Sequence, residues 1–210
     1  MHRWLPELAP VTRIPLADFG FETARLRIRP MQASDHALYC DVYTDAETMR
    51  FVGPALSPVR ARSLFRKAIA MMHDDPVEWV FLVIEDKASA RSLGLCGLPN
   101  FDAEASRPEI GMMLCGNARG QGYSVEALGG LVRQVFLLLP AREIRVVFSP
   151  DHVAAIRMLR QLGFTPVADS GEEPARCTWN IRRDALVLRE SRHVKGDSIP
   201  GIDGQQRTLA

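Results

Sequence analysis

Arg119-Gly120-Gln121-Gly122-Tyr123-Ser124 is the stretch of this chain whose residue types and spacing can do chemistry. It stands between an apolar run, Ile110 to Leu114, that reads as a strand, and a helical pattern from Tyr123 to Leu139 that Pro140 stops. Two glycines at such a junction allow a tight turn, which leaves the first N–H groups of the helix unpaired. The helix dipole adds partial positive charge there. Together they make an anion site, and phosphate is its usual guest. The plainer alternative is a turn with no ligand. Two nucleotide signatures are excluded: Tyr123-Ser124 follows Gly122 in place of Lys-Ser or Lys-Thr, and the three spaced glycines of a dinucleotide fingerprint are missing.

Arg119 to Ser124, followed by Val125-Glu126-Ala127-Leu128, resembles the acetyl-CoA pyrophosphate motif of the GNAT N-acetyltransferases. That motif is Gln or Arg, two residues, Gly, one residue, then Gly or Ala. Arg119 and Gly122 match, and Ser124 takes the final small position. Glu22-Thr23-Ala24-Arg25-Leu26-Arg27-Ile28-Arg29-Pro30 is similar to the opening strand of the RimJ/RimL-like branch. The resemblance implies an α+β, three-layer α/β/α fold, with a mixed, mostly antiparallel central sheet flanked by helices. It also implies acetyl-CoA as co-substrate, held by Met113, Leu114, Arg119, Gly120, Gln121, Gly122, Tyr123 and Ser124, with no metal. The partner is an amine acceptor, a protein N-terminus or a small molecule.

The family also carries Asn, two residues, then Ala or Ser before a Leu-Gly-Phe close, and Asp151 to Phe164 resembles this segment. Leu162-Gly163-Phe164 matches, with His152 at the asparagine position. In one branch the alanine is paired with a general-acid tyrosine four residues on; in the RimL-like branch a serine stands there instead. This chain has Ala155 and Leu159, so neither acid is present.

An amine attacks a thioester only as the free base, so something must take its proton and something must protonate the leaving thiolate. The oxyanion needs a donor, which the backbone N–H of Met113 or Leu114 can give. The catalytic candidates are Glu109, where the RimJ/RimL-like family often places an acidic residue, and His152, at the start of a helix. The plainer alternatives are a hairpin-end carboxylate and a solvated helix-start side chain. A rival function is a GNAT-fold module that binds CoA without turnover, and a weaker one is transfer of longer acyl groups, with Arg50, Arg60 or Arg62 as the cation.

These groups need a scaffold. With 210 residues and 47% hydrophobic content the chain can bury one sizeable core. The net charge of +1 offers no broad footprint for nucleic acid or an anionic membrane. No stretch approaches the roughly 18 apolar residues of a membrane span. Cys40, Cys96, Cys115 and Cys177 lie far apart with no Cys-x-x-Cys pair, which suggests reduced thiols in a cytoplasmic protein.

The expected organisation is an N-terminal extension over 1–20, one domain over 21–188 and a disordered polar tail over 189–210. The state is a monomer or homodimer. Strands are expected at Arg25–Pro30, Trp79–Ile84, Leu93–Leu98, Ile110–Leu114, Ile144–Phe148, Phe164–Val167 and Arg176–Ile181. Ser34 or Asp35 caps a helix to Tyr43, Asp45–Arg50 adds a short piece, Ser57-Pro58 opens a third helix, and Asp151 caps the helix Val153–Leu162. Val42 to Met72 is expected to set the choice of acceptor. Gly129-Gly130, inside the helix Tyr123–Leu139, is expected to pack closely on the sheet.

Overall fold

The computed structural model describes residues 14–74, 77, 79–100, 106–167 and 176–186. Five strands, Phe21–Glu22 (β1), Leu26–Pro30 (β2), Val80–Asp86 (β3), Ser92–Leu98 (β4) and Gly111–Leu114 (β5), form an antiparallel sheet in chain order. Glu143–Phe148 (β6), Thr165–Pro166 (β7) and Cys177–Arg182 (β8) form a second, ordered β6-β8-β7. The mixed, mostly antiparallel sheet expected from sequence is therefore two antiparallel sheets whose junction carries one parallel bridge, Glu109 to Arg145. There the Ile110 N–H donates to the Arg145 carbonyl and the Arg145 N–H to the Pro108 carbonyl, each at 2.9 Å.

Helices cover both faces. His36–Thr44 (α1), Ala46–Met49 (α2) and Pro58–Met71 (α3) lie on one side, where Tyr39, Val42, Phe65, Ala68 and Met72 pack with Val83 and Leu95. Tyr123–Leu138 (α4) and Val153–Leu162 (α5) cover the other, where Leu128, Leu131, Val132 and Val135 meet Leu82, Ile84, Ile144 and Leu159. Strand alternation sends successive β3 residues to the two cores, Leu82 to one and Val83 to the other. Each such buried aliphatic side chain contributes about 1.5–3 kcal/mol.

Local chemistry sets the boundaries. Ser57 accepts from the Arg60 N–H with Pro58 behind it, and Asp45 accepts from the Thr48 N–H. Asp35 precedes α1, but its carboxylate makes no cap there; it binds the Arg29 guanidinium through two 2.8 Å bonds and the Gln32 N–H at 2.7 Å. Arg29 and Arg25, which the alternation puts on a solvated face, are both engaged. Leu16–Phe19 is a short 3-10 turn whose Phe19 enters the main core. The Gly129-Gly130 pair meets Leu162 of α5 and the Phe21 ring of β1, so the close packing involves a helix as well as the sheet edge. Residues 1–13, the turn at 171–174 and the tail from 187 lie outside the described residues.

The C-terminal end of α4 is closed from a distance. Arg183, just past β8, donates to the carbonyls of Phe136, Leu139 and Ala141 at 2.6, 2.6 and 2.9 Å, with its guanidinium over the Phe136 ring. A cation on the last carbonyls of a helix satisfies them and complements the dipole. Arg183→Met should cost about 2–3 kcal/mol, because charged hydrogen bonds to half-buried carbonyls are lost together. Urea titration checks this, and Arg183→Lys should recover only part of the loss.

Candidate active site

Past the Glu109–Arg145 bridge, β5 and β6 are joined by no further described pairing, and the gap opens into a cleft of about 580 Å³. Strand parity decides which groups face it. Cys115 donates its N–H to the Leu93 carbonyl on β4, and Ile110 donates toward β6. By alternation Met113 turns its backbone to β4, while Met112 and Leu114 turn theirs to the gap. Of the two oxyanion donors considered from sequence, Leu114 turns its N–H to the gap and Met113 turns its N–H to β4.

The glycine turn closes one end of the cleft. Gly120 and Gly122 have φ of +74° and +78°, the left-handed region that favours glycine, and Gly122 sits at the N-cap position of α4. The first helical bond shown runs from the Glu126 N–H to the Gly122 carbonyl, so the N–H groups of Tyr123, Ser124 and Val125 have no partner inside the helix. Gly120 and Ser124 line the cleft with Met113, Leu114 and Arg119. Gln121, Gly122 and Tyr123 do not: the Gln121 side chain folds back onto the Asn117 carbonyl, and Tyr123 lies under the Arg25 guanidinium at 4.5 Å. The turn fits a phosphate group on the strength of its directed amides.

Arg25 and Glu126 hold this turn. The Glu126 carboxylate accepts from the Thr23 hydroxyl at 2.6 Å and from the Arg25 N–H and Nε at 2.7 Å each, while Arg25 also donates to the Gln121 carbonyl at 3.0 Å. Burial works to raise the Glu126 pKa, but these hydrogen bonds outweigh it and hold the carboxyl below its ordinary 4.5. A lowered folded pKa means stability that is full above the unfolded value and lost as pH falls through the folded one. The wild-type advantage over Glu126→Gln in urea stability should therefore be constant near neutrality and shrink below about pH 4.5. An advantage independent of pH would contradict it.

Arg119 turns its side chain away from the turn, donating to the Thr48 hydroxyl at 2.7 Å and the Leu114 carbonyl at 3.4 Å, with Glu47 at 3.9 Å. It spans the cleft to α2. Opposite, His152 caps α5, accepting from the Ala155 N–H at Nδ1 (3.1 Å), so the cap is His152 and not Asp151. Its ring lies 4.2 Å from that of Phe51. Desolvation, with Arg119 adding to it, lowers the His152 pKa from 6.5. The neutral ring, with Nδ1 accepting, carries its proton on Nε2. His152 lines the cleft, whereas Glu109 is not among the lining residues. Among the described residues Glu47 is the one carboxylate that lines it.

Val42 to Met72 contributes Tyr43, Glu47, Thr48, Phe51 and Val52 to the lining, but nothing from α3. Trp79, Phe81 and Arg176 line the cleft from outside that segment. Arg176 donates to the Val52 carbonyl at 3.3 Å. No signal in the sequence marked these three, because they meet only after folding. Among the described residues no cluster of three or more His, Cys, Asp or Glu side chains could hold a metal. Among the described residues no helix is long and apolar enough to cross a membrane. His152→Ala should lose about 1 kcal/mol of stability with the cap, and His152→Asn, a good capping residue, should keep it; thermal unfolding compares the two.

The acetyltransferase (GNAT) domain family matches residues 25–165. The chain is 30% identical over 145 residues to the uncharacterized N-acetyltransferase p20 of Bacillus licheniformis, covering 68% of this chain and 80% of that one. Spermidine N-acetyltransferase from Vibrio cholerae, solved with CoA and spermine, superposes with a TM-score of 0.67 at 17% identity, over 79% of this chain and 99% of that one. Ribosomal-protein-S5-alanine acetyltransferase from Vibrio fischeri gives 0.62 at 15% identity, over 80% and 98%. A family match across most of the chain thus coincides with a directed-amide turn and a parted sheet in one fold, and the chain belongs to the GNAT acetyltransferases.

Proposed function

We propose that this chain transfers an acetyl group from acetyl-CoA to a primary amine by direct attack in a ternary complex. The observation that carries the reading is that the amide-rich start of α4 and the edge of β5 that faces away from β4 open on one cleft. The amides of Gly120 and Ser124, which line the cleft at the start of α4, hold the pyrophosphate. The backbone edges that Met112 and Leu114 turn to the gap, where Arg119 already donates to the Leu114 carbonyl, take the amide groups of the pantetheine arm as a strand would. The thioester supplies an activated acyl group whose carbonyl the Leu114 or Met112 N–H polarises.

The N–C bond forms as the C–S bond breaks, the amine loses a proton and the thiolate gains one. Glu47, the lining carboxylate, receives the amine's proton directly or through water. Neutral His152 presents Nε2–H as a hydrogen-bond donor toward the leaving sulfur, and the final proton comes from solvent, since Ala155 and Leu159 have none to give. The RimJ/RimL-like assignment rests on the segment from Glu22 to Pro30 and on the acidic residue at Glu109. A cytoplasmic location is supported by four unpaired cysteines, whose thiol pKa values burial raises.

The apolar pair Ala155 and Leu159 favours one alternative, a CoA-binding module without turnover. Calorimetric titration with acetyl-CoA beside a thiol-release assay over an amine panel separates them: binding with release is expected, and binding without release would favour the module. Gly120→Asp supplies the control. A Cβ at Gly120 meets nothing within 4 Å and aspartate tolerates the left-handed region, so the variant should fold while placing a carboxylate among the phosphate-binding amides. Acetyl-CoA affinity should fall at least about tenfold, equivalent to about 1.4 kcal/mol; unchanged affinity would refute the phosphate assignment.

A further inference from the structure

The cleft passes through the sheet, and its far side is built differently from the cofactor side. Phe81 pairs across β3 and β4 with Gly97, and Gly97 pairs across β4 and β5 with Gly111. Cross-strand partners share a face, so this row presents one aromatic ring followed by two positions with no side chain. Gly97 has no choice, since a Cβ there would overlap the Val80 carbonyl. Gly111 is different: a Cβ would meet nothing within 4 Å, so its bareness leaves floor space that packing does not require.

Aromatic walls bound that floor. Trp79, two residues from Phe81 on the same face, stacks on it with centroids 5.8 Å apart and an interplanar angle of 11°. Tyr43 and Phe51 line the cleft from α1 and the turn after α2. The charge balance is unfavourable to a polycation. Among the described residues, Arg119 and Arg176 line the cleft against one carboxylate, that of Glu47, which already lies 3.8 Å from Arg50 and 3.9 Å from Arg119.

We infer that the acceptor is a primary amine carried on an aromatic or bulky apolar body, which lies flat on the Gly97–Gly111 floor against Trp79 and Phe81, and that polyamines are poor substrates. This rests on the transferase reading and narrows it. Flat apolar floors and stacked rings reward planar apolar groups, and the further ammoniums of a polyamine would meet the like charges of Arg119 and Arg176. The same chemistry occurs in a free arylalkylamine and in a peptide beginning with phenylalanine, and rates distinguish the two sources.

The test uses the full chain saturated with acetyl-CoA and follows thiol release with 2-phenylethylamine, a phenylalanine-initiated peptide, a serine-initiated peptide and spermidine. The expected result is a kcat/KM for one or both aromatic amines at least about tenfold above that for spermidine and the serine peptide. Gly111→Leu should raise KM for the aromatic amine at least about tenfold by filling the floor. Its acetyl-CoA affinity, measured by calorimetry, should stay within about twofold. Trp79→Ala, which removes a wall instead of filling the floor, should raise the same KM.

Preference for spermidine or the serine peptide, or an unchanged KM in a folded Gly111→Leu protein, would overturn the inference and leave the transferase reading standing. Cofactor binding with no thiol release from any amine would overturn both.

Discussion

The constraint on which the rest of the structure depends is that β5 and β6 touch at one bridge and then separate. A sheet normally pairs its backbone groups along its whole length, because a buried N–H or C=O without a partner costs free energy. Here the bridge at Glu109 and Arg145 fixes the relative position of the two sheets, and everything beyond it is held apart by what packs on each side. α4 and α5 meet across one face while the helices from α1 to α3 cover the other. The gap is therefore a property of the whole core, with polar edges that a ligand can pair in place of a neighbouring strand.

The anion-directing turn depends on that arrangement and on one brace. Thr23 and Arg25, just before β2, meet Glu126 in the first turn of α4, about a hundred residues later, and the Arg25 guanidinium reaches on to the Gln121 carbonyl. A carboxylate in the first turn suits the helix dipole by itself. Bound to Arg25, it also fixes the angle at which α4 leaves the turn, hence where its first amides point. Arg119 ties the same turn to α2, so the cofactor side and the aromatic side of the cleft share one side chain.

Much of this was legible in the sequence where the signal is local. The helical pattern of α4, the Ser57-Pro58 start and the glycines at 120 and 122 each follow from backbone chemistry within a few residues. What depends on register or on distant partners was not. Met113 and Leu114 are equivalent in composition, and only the pairing with β4 reveals which backbone faces the gap. Asp151 suits a cap by residue type, and that His152 takes the position depends on where the first turn of α5 begins. Arg25 and Arg29 read as a solvated face because their carboxylate partners, Glu126, Asp35 and Glu85, are assigned only by the fold. Glu109 sits at the vertex of the split and outside the cleft lining, a placement that strand order alone does not give.

The two sides of the opening are drawn from largely separate stretches of chain. The turn, α4 and α5 supply one, while α1, α2 and the start of β3 supply the other. Substitutions at Tyr43, Phe51 or Trp79 can accumulate without touching a backbone amide of the turn. Heritable variation can therefore reshape the aromatic side through its side chains while the glycine turn, whose surface is backbone, changes little.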